Sequence, residues 1–177
     1  MNEHDGAVGS DAAKLAVHHN TSDKANWHCH AKLEKFHGVG KNRESTPYEV
    51  IEDEGNLLCN AGINLMQDLL VGDGGTVYSN TNAAIAVGTS ATAANATDTT
   101  LTAENDRKGM EATYPLTAAQ VATFRSVFDD SGSDGVWAEW GIFNNTVSGG
   151  DMLNHKVTAF GTKSGGSWQL TVTITIS

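Results

Sequence analysis

The clearest pattern of apolar and polar positions lies in the last ten residues, 168–177 (WQLTVTITIS), where apolar and small polar side chains alternate. Because successive side chains of a strand point to opposite faces, this alternation predicts a strand with one buried face and one threonine-rich face. A strand this apolar would invite aggregation at an exposed edge, so we expect it to be central in its sheet or protected by an interface.

The same two-residue period, together with β-branched and aromatic content, predicts further strands along the chain. We expect residues 104–109 to form a charged turn, Pro115 to interrupt a strand that begins at residue 110, and residues 161–166 to form a hairpin into the terminal strand. Regular strand–turn spacing in the C-terminal half favours an antiparallel β-sandwich. The remaining predicted strands cover residues 27–36, 48–54, 83–88, 120–128, 136–143 and 152–160.

One segment has helical rather than strand periodicity. In residues 56–71 (NLLCNAGINLMQDLLV), leucines and alanine recur every three to four positions. Asn56 is a candidate N-cap and Gly72 a natural C-terminal stop. Gly62 in the middle costs about 1 kcal/mol relative to alanine. The sequence therefore predicts a mainly β protein with one α-helix at about residues 56–71.

The first 26 residues differ in composition from the rest. They contain few large apolar side chains, namely Leu15 and two valines, and are rich in Gly, Ala, His, Asp and Asn. Such a segment cannot bury enough apolar surface to fold alone. We therefore expect an extended N-terminal arm over residues 1–26 and a single β-sandwich domain over residues 27–177. We expect the arm to lie on a neighbouring subunit, although packing against its own domain would also hold it.

Charge and composition narrow the classes of partner. The net charge of −10 argues against binding to a nucleic-acid backbone, which requires clustered basic residues. No apolar run approaches the roughly 20 residues that span a bilayer, and the first residues resemble no secretory signal, so we expect synthesis in a cytoplasm and no membrane partner. Cys29 and Cys59 are expected to be free thiols in a reducing compartment.

The histidines are the first candidate for chemistry. Imidazole and thiolate together suit zinc, and the chain places His28 and His30 on either side of Cys29. In a strand the two histidines share one face and the cysteine points away, so the triplet cannot supply three ligands to one ion. A pair of histidines from each subunit could bind a metal at a symmetry axis. We favour exposed or interface histidines and predict no metal or cofactor.

The aromatic strand around residue 139 is the second candidate. Glu139 between two tryptophans could be a general acid with a raised pKa, but glycoside hydrolysis needs a partner carboxylate, for which the preceding turn offers several aspartates. We favour a structural glutamate that accepts hydrogen bonds from a turn backbone or from an arginine such as Arg125. We therefore predict no catalytic residue and no enzymatic activity.

The neighbouring aromatic side chains could instead form a sugar-binding platform. Core or subunit-interface packing is the commoner use of such residues. Glycan binding on this platform remains an alternative to packing. The side chains concerned are Trp137, Trp140, Phe143 and Trp168.

Five segments together resemble a known module. They are Glu54–Gly72 (EGNLLCNAGINLMQDLLVG), Ala83–Leu101, Trp137–Asn145 (WAEWGIFNN), Gly149–Val157 (GGDMLNHKV) and the WQLTVTITIS ending. This combination is similar to a recurrent β-rich module of tailed-bacteriophage structural proteins, found in capsid-decoration, head-fibre and tail-tip or fibre-associated proteins. The resemblance runs from about Trp27 to the C-terminus. It implies a non-enzymatic virion component present in many copies, and the lack of fibrous repeats argues against a receptor-binding fibre.

These inferences predict a capsid decoration or cement subunit that stabilises the phage head through its arm and β-domain. The expected partners are the major capsid protein or neighbouring virion subunits, including copies of itself, and the expected location is the virion after synthesis in the host bacterial cytoplasm. A tail, baseplate or fibre-associated protein is the first alternative, and a carbohydrate-binding module on the virion surface is the second. The predicted protein-interface residues are His18, His19, Trp27, His28, His30, Trp137 and Trp140.

Overall fold

A computed structural model describes residues 25–177, which form two five-stranded antiparallel sheets and one α-helix. The predicted β-sandwich architecture is confirmed. Sheet A has the order β2 (Glu49–Glu54), β1 (Trp27–Phe36), β10 (Ser167–Ile176), β7 (Val121–Phe128), β6 (Leu116–Ala118). Sheet B has the order β3 (Leu57–Leu58), β9 (Met152–Lys163), β8 (Gly135–Phe143), β4 (Ala84–Gly88), β5 (Glu104–Gly109).

The terminal strand β10 lies in the centre of sheet A, as its pattern predicts. It pairs antiparallel with β1 on one side and with β7 on the other. Leu170, Val172 and Ile174 are buried on its inner face, while the threonines between them are partly exposed. The strand most prone to aggregate therefore has both of its edges paired.

The connection from β9 to β10 is not a hairpin, which corrects the prediction for residues 161–166. β9 continues to Lys163 in sheet B, and β10 begins at Ser167 in sheet A. The turn between them therefore passes from one sheet to the other. A short glycine-rich turn between two strands looks the same in sequence whether the strands pair with each other or lie in facing sheets.

Residues 104–109 form edge strand β5 rather than a charged turn. An edge strand tolerates this charge because its polar side chains meet solvent or one another. Arg107 is the buried exception, and Glu104 holds its guanidinium through Nε at 3.0 Å and Nη2 at 2.7 Å. The predicted strand from residue 110 is also wrong, because the chain has no strand there and resumes one only at Leu116–Ala118, after Pro115.

Helix α1 spans Asn60–Val71 and begins four residues later than predicted. Leu57 and Leu58 pair with β9 as the short strand β3, so Asn56 is not the N-cap. The predicted stop is confirmed, since Gly72 is left-handed with φ of 76°. Gly62 lies against β9, and a Cβ there would stand 2.7 Å from the Leu153 carbonyl oxygen. The glycine therefore permits close packing of the helix on sheet B.

The core lies between the inner faces of the two sheets. Its centre is aromatic, because the Trp137 ring packs edge-on against Phe128 and Trp168 with centroid distances of 4.7 and 4.9 Å. A smaller apolar cluster lies on the outer face of sheet B, where Leu101 contributes to the cover over Phe143. Within residues 25–177, no helix combines the length and hydropathy needed to cross a lipid bilayer.

Candidate functional site

A buried ionic network links sheet B to the long connection between β4 and β5. Glu139 on β8 and His155 on β9 are fully buried, and Asp98 belongs to the connection. The His155 Nε2 atom lies 3.0 Å from Glu139 Oε2, and its Nδ1 atom lies 2.8 Å from Asp98 Oδ2. Three titratable side chains thus form a carboxylate–imidazole–carboxylate chain on the outer face of sheet B.

Glu139 binds the backbone of the connection. Its carboxylate accepts hydrogen bonds from the N–H groups of Thr102 at 3.0 Å, Ala103 at 2.7 Å and Ser90 at 3.4 Å. This confirms the prediction of a structural glutamate bonded to backbone, but the partner is not Arg125, whose Nε donates to Thr171. Because Glu139 is buried and its oxygens are occupied, it is not placed to protonate a bound substrate.

His155 bridges two carboxylates. Each of its ring nitrogens lies within hydrogen-bond distance of a carboxylate oxygen. At Asp98, burial raises the pKa, but the hydrogen bonds from the Asn95 backbone N–H and from His155 outweigh it and lower the pKa below the ordinary value of 3.8. The network therefore fixes residues 89–103 over sheet B through charge-assisted hydrogen bonds.

Sequence analysis did not identify His155 or Asp98. A signal was present, since Asn154 and His155 place two polar side chains in the middle of a strand, and both are fully buried. Buried polar groups need partners, which makes such a pair worth following. The partner could not be read from the sequence, because Asp98 is 57 residues away.

The aromatic residues of the predicted sugar-binding platform do not form a surface. They therefore cannot bind a glycan, and this alternative is wrong for these side chains. Trp137, Trp140 and Phe143 are fully buried, and Trp168 is 2% exposed. Trp137 and Trp140 therefore cannot contact a partner protein, which corrects their assignment to an interface. Their alternation with charged and small residues is that of a strand covered on both faces.

The histidines of β1 lie on the outer face of sheet A. His28 is exposed, and His30 Nε2 is 3.7 Å from Glu52 and 3.9 Å from Glu54, measured to carboxylate oxygens. Among residues 25–177, no group of three or more His, Cys, Asp and Glu side chains is arranged to hold a metal ion. The interface assignment of His28 and His30 stays a prediction, and His18 and His19 lie outside the described residues.

A polar cleft of about 440 Å³ opens beside the turn between β8 and β9. Arg107 supports this turn by donating to the carbonyl oxygens of Asn145 at 3.0 Å and Gly149 at 2.8 Å. Asn144 bridges the cleft floor, with Nδ2 at 2.8 Å from the Thr76 carbonyl oxygen and 3.0 Å from an Asp151 carboxylate oxygen. Hydroxyl, amide and carboxylate groups therefore line a preformed hollow.

An apolar groove opens at the end of the sandwich where β1 begins and β10 ends. Trp27 is half-buried there, and its indole Nε1 donates to Asn56 Oδ1 at 2.6 Å. A hollow of about 160 Å³ lies between Trp27, Met66 and Phe124. It adjoins a second hollow of about 350 Å³ along β7 and β10, which ends near Thr117. We call this continuous surface the end groove.

A second apolar surface lies at the C-terminal end of α1. Leu70 is 85% exposed, Val71 is 76% exposed, and Leu69 is exposed beside them. We call these three residues the helix-end patch. Val77 in the following segment is also exposed. Single exposed apolar residues are ordinary on protein surfaces, but three in succession distribute apolar area around the helix end.

The described residues thus form a β-sandwich whose buried charges fasten a loop to a sheet, with three successive exposed apolar residues at one helix end and an apolar groove at one end of the sandwich. In comparisons with protein-family models, curated proteins and solved structures, nothing matched this chain.

Proposed function

We propose that this protein is a non-enzymatic structural subunit of a tailed-phage virion, bound to the capsid as a decoration or cement protein. The sequence resemblance provides the class, and the helix-end patch is the observation that carries the adhesive function. The chain has a net charge of −10, which favours solubility. Successive exposed apolar side chains do not add to solubility, and such surface is typical of a binding site.

The sheet edges favour contact through such a patch over strand pairing between copies. Edge strands β2 (EVIEDE) and β5 (ENDRKG) are rich in charged residues, while β3 and β6 are two and three residues long. Charged and short edge strands block edge-to-edge pairing. Copies that cannot pair by their edges remain separate until a complementary surface, such as a capsid lattice, receives them.

The mechanism is adhesion by many weak contacts. The helix-end patch offers a small apolar area, which alone gives weak binding. A subunit that also contacts the lattice through its arm gains affinity from simultaneous contacts, because the second contact forms at a high effective concentration. Cement function on a capsid follows when each copy joins neighbouring capsid subunits.

Location on the particle tests this proposal. Purified virions are labelled with an antibody against the described domain and imaged by electron microscopy, with virions of a deletion strain as the control. Label over the whole head supports a decoration subunit. Label confined to the tail replaces it with the tail-protein alternative, and the absence of label from virions overturns both.

The polar cleft supports a second candidate, a carbohydrate-binding module. Asn, Asp and Thr side chains that converge on one hollow can hydrogen-bond sugar hydroxyls. The test compares binding to a glycan array for the wild type and an Asn82→Ala/Asp151→Ala variant, with Thr175→Ala on sheet A as the matched control. Binding that only the cleft variant loses, at an unchanged melting temperature, supports the module. An array without signal for the wild type contradicts it.

A further inference from the structure

The end groove is only partly covered. Met66 of α1 and Leu153 of β9 line its smaller hollow with Trp27, whereas its larger hollow is lined only by residues of β6, β7, β10 and the turn between β6 and β7. Trp27, Ala122 and Ile174 point to the same side of sheet A as the core residues of their strands. At the mouth of the groove Ile176 is 41% exposed. Uncovered apolar surface of this kind stabilises any apolar segment that binds it.

The chain preceding the described residues enters the fold at this groove. The Asn26 N–H donates to the Ser177 carbonyl oxygen at 2.6 Å, and the Ser177 N–H donates to Asn26 at 3.1 Å. This rung adjoins the pair Trp27 and Ile176, both of which line the groove. Twenty-four residues precede Ala25, and their attachment point is the border of the groove.

The sequence of that segment suits the groove. Ala13, Leu15 and Val17 alternate with other residues, so an extended chain places all three on one face. Residues 20–23 (NTSD) are turn formers that separate this stretch from β1. Nine Cα–Cα steps separate Val17 from Asn26 and span at most about 30 Å, whereas four strands are only about 15 Å wide.

We propose that residues 13–17 turn back over their own domain and fill the end groove with Ala13, Leu15 and Val17. The short tether keeps the segment at a high effective concentration beside its site, which favours this occupant over a free partner. The inference rests on the groove and the tether, and it holds whether or not the protein decorates a capsid.

Disulfide trapping in the full chain tests the proposal. A Val17→Cys/Ala122→Cys variant is equilibrated in glutathione buffer, with Val8→Cys/Ala122→Cys as the matched control. The native thiols interfere little, because burial raises the pKa of Cys29 to about 12 and that of Cys59 to about 11. We expect an intramolecular disulfide at position 17 with an effective concentration at least tenfold above that at position 8.

Two results would overturn it. Equal trapping at positions 17 and 8 shows that the segment has no preferred site in the groove. A disulfide found only in dimers shows that another copy supplies the occupant. Loss of trapping alone leaves the capsid proposal intact, and loss of virion label alone leaves this inference intact.

A second measurement does not depend on cysteine geometry. Leu15→Asp/Val17→Asp removes the apolar face of the segment, whereas Ala7→Asp/Val8→Asp makes the same change in charge outside it. We expect the first variant alone to bind several-fold more of a dye specific for apolar surface, because its groove is uncovered. Equal dye binding by the two variants contradicts the proposal.

Discussion

The outer face of sheet B and the end of sheet A are both apolar surfaces beyond the main core, but the chain treats them differently. On sheet B, Leu101 packs in one apolar cluster with Phe143, and the segment that carries it is fastened by Glu139 and His155. At the end of sheet A, the described residues leave Ile176 exposed beside an apolar groove. One surface is closed by buried charges, and the other is left available to a further segment.

The difference shows where function is to be sought in this molecule. The residues with the strongest chemical character, Glu139 and His155, are fully buried and bonded to the protein itself. The surface proposed for contact with the capsid is made of ordinary aliphatic side chains such as Leu70 and Val71. In this molecule, unusual residues therefore mark a stabilising network and not the proposed binding surface.

Glu139→Ala is the change that we expect to destabilise the attachment of residues 89–103 to sheet B most strongly. It removes one of the two carboxylate partners of the buried His155 ring and leaves the backbone N–H groups of Thr102 and Ala103 without their acceptor. We expect a loss of about 3–5 kcal/mol in the free energy of unfolding, measured with urea. Glu52→Gln, with a side chain 61% exposed, is the control and should change little. A loss below about 1 kcal/mol for Glu139→Ala would refute the fastening role.

Gly62→Ala tests the contact between α1 and β9. Helix propensity alone predicts a gain of about 1 kcal/mol. The new Cβ would stand 2.7 Å from the Leu153 carbonyl oxygen, so we expect a net loss of about 1–3 kcal/mol instead. Asn64→Ala, at an exposed position of the same helix, should be neutral or slightly stabilising in the same urea experiment. A gain at both positions would show that the helix packs more loosely.

Asp98→Asn tests how much the charge of Asp98 in the ionic network contributes to stability, measured as a function of pH. The pKa of Asp98 is lower in the folded chain than its ordinary 3.8, so its stabilisation is present above that value and is lost as pH falls through the folded-state pKa. We therefore expect the wild type to melt at a higher temperature than the variant at pH 7, and the difference to shrink towards pH 2. A difference that stays constant with pH would mean that the charge of Asp98 contributes nothing.

Leu70→Ser should have the smallest effect on stability. The side chain is 85% exposed, so the urea free energy should stay within about 0.5 kcal/mol of the wild type. Leu65→Ser, on the buried side of the same helix, is the contrasting variant and should cost several times more. Equal costs at the two positions would show that Leu70 is covered by the domain itself, and would remove it from the binding surface.

Local sequence patterns were sufficient to predict much of the fold. Alternation identified β1 and β10, and the left-handed Gly72 ended the helix where the sequence places it. The passage of the chain between sheets after Lys163 was missed, because a glycine-rich turn carries no information about which strands pair. The network was missed for a related reason: the contact of His155 with Asp98 joins distant parts of the chain and becomes visible only once the sheets are assembled.

Sedimentation with phage heads tests the central claim most directly. Heads that lack the protein are mixed with wild type, with a Leu70→Ser/Val71→Ser variant, or with Glu52→Gln as the matched surface control. The account predicts that wild type and Glu52→Gln saturate the heads in many copies, whereas the helix-end variant binds at least tenfold more weakly at an unchanged melting temperature. Binding of the helix-end variant equal to that of the wild type, or failure of the wild type to bind, would contradict the account.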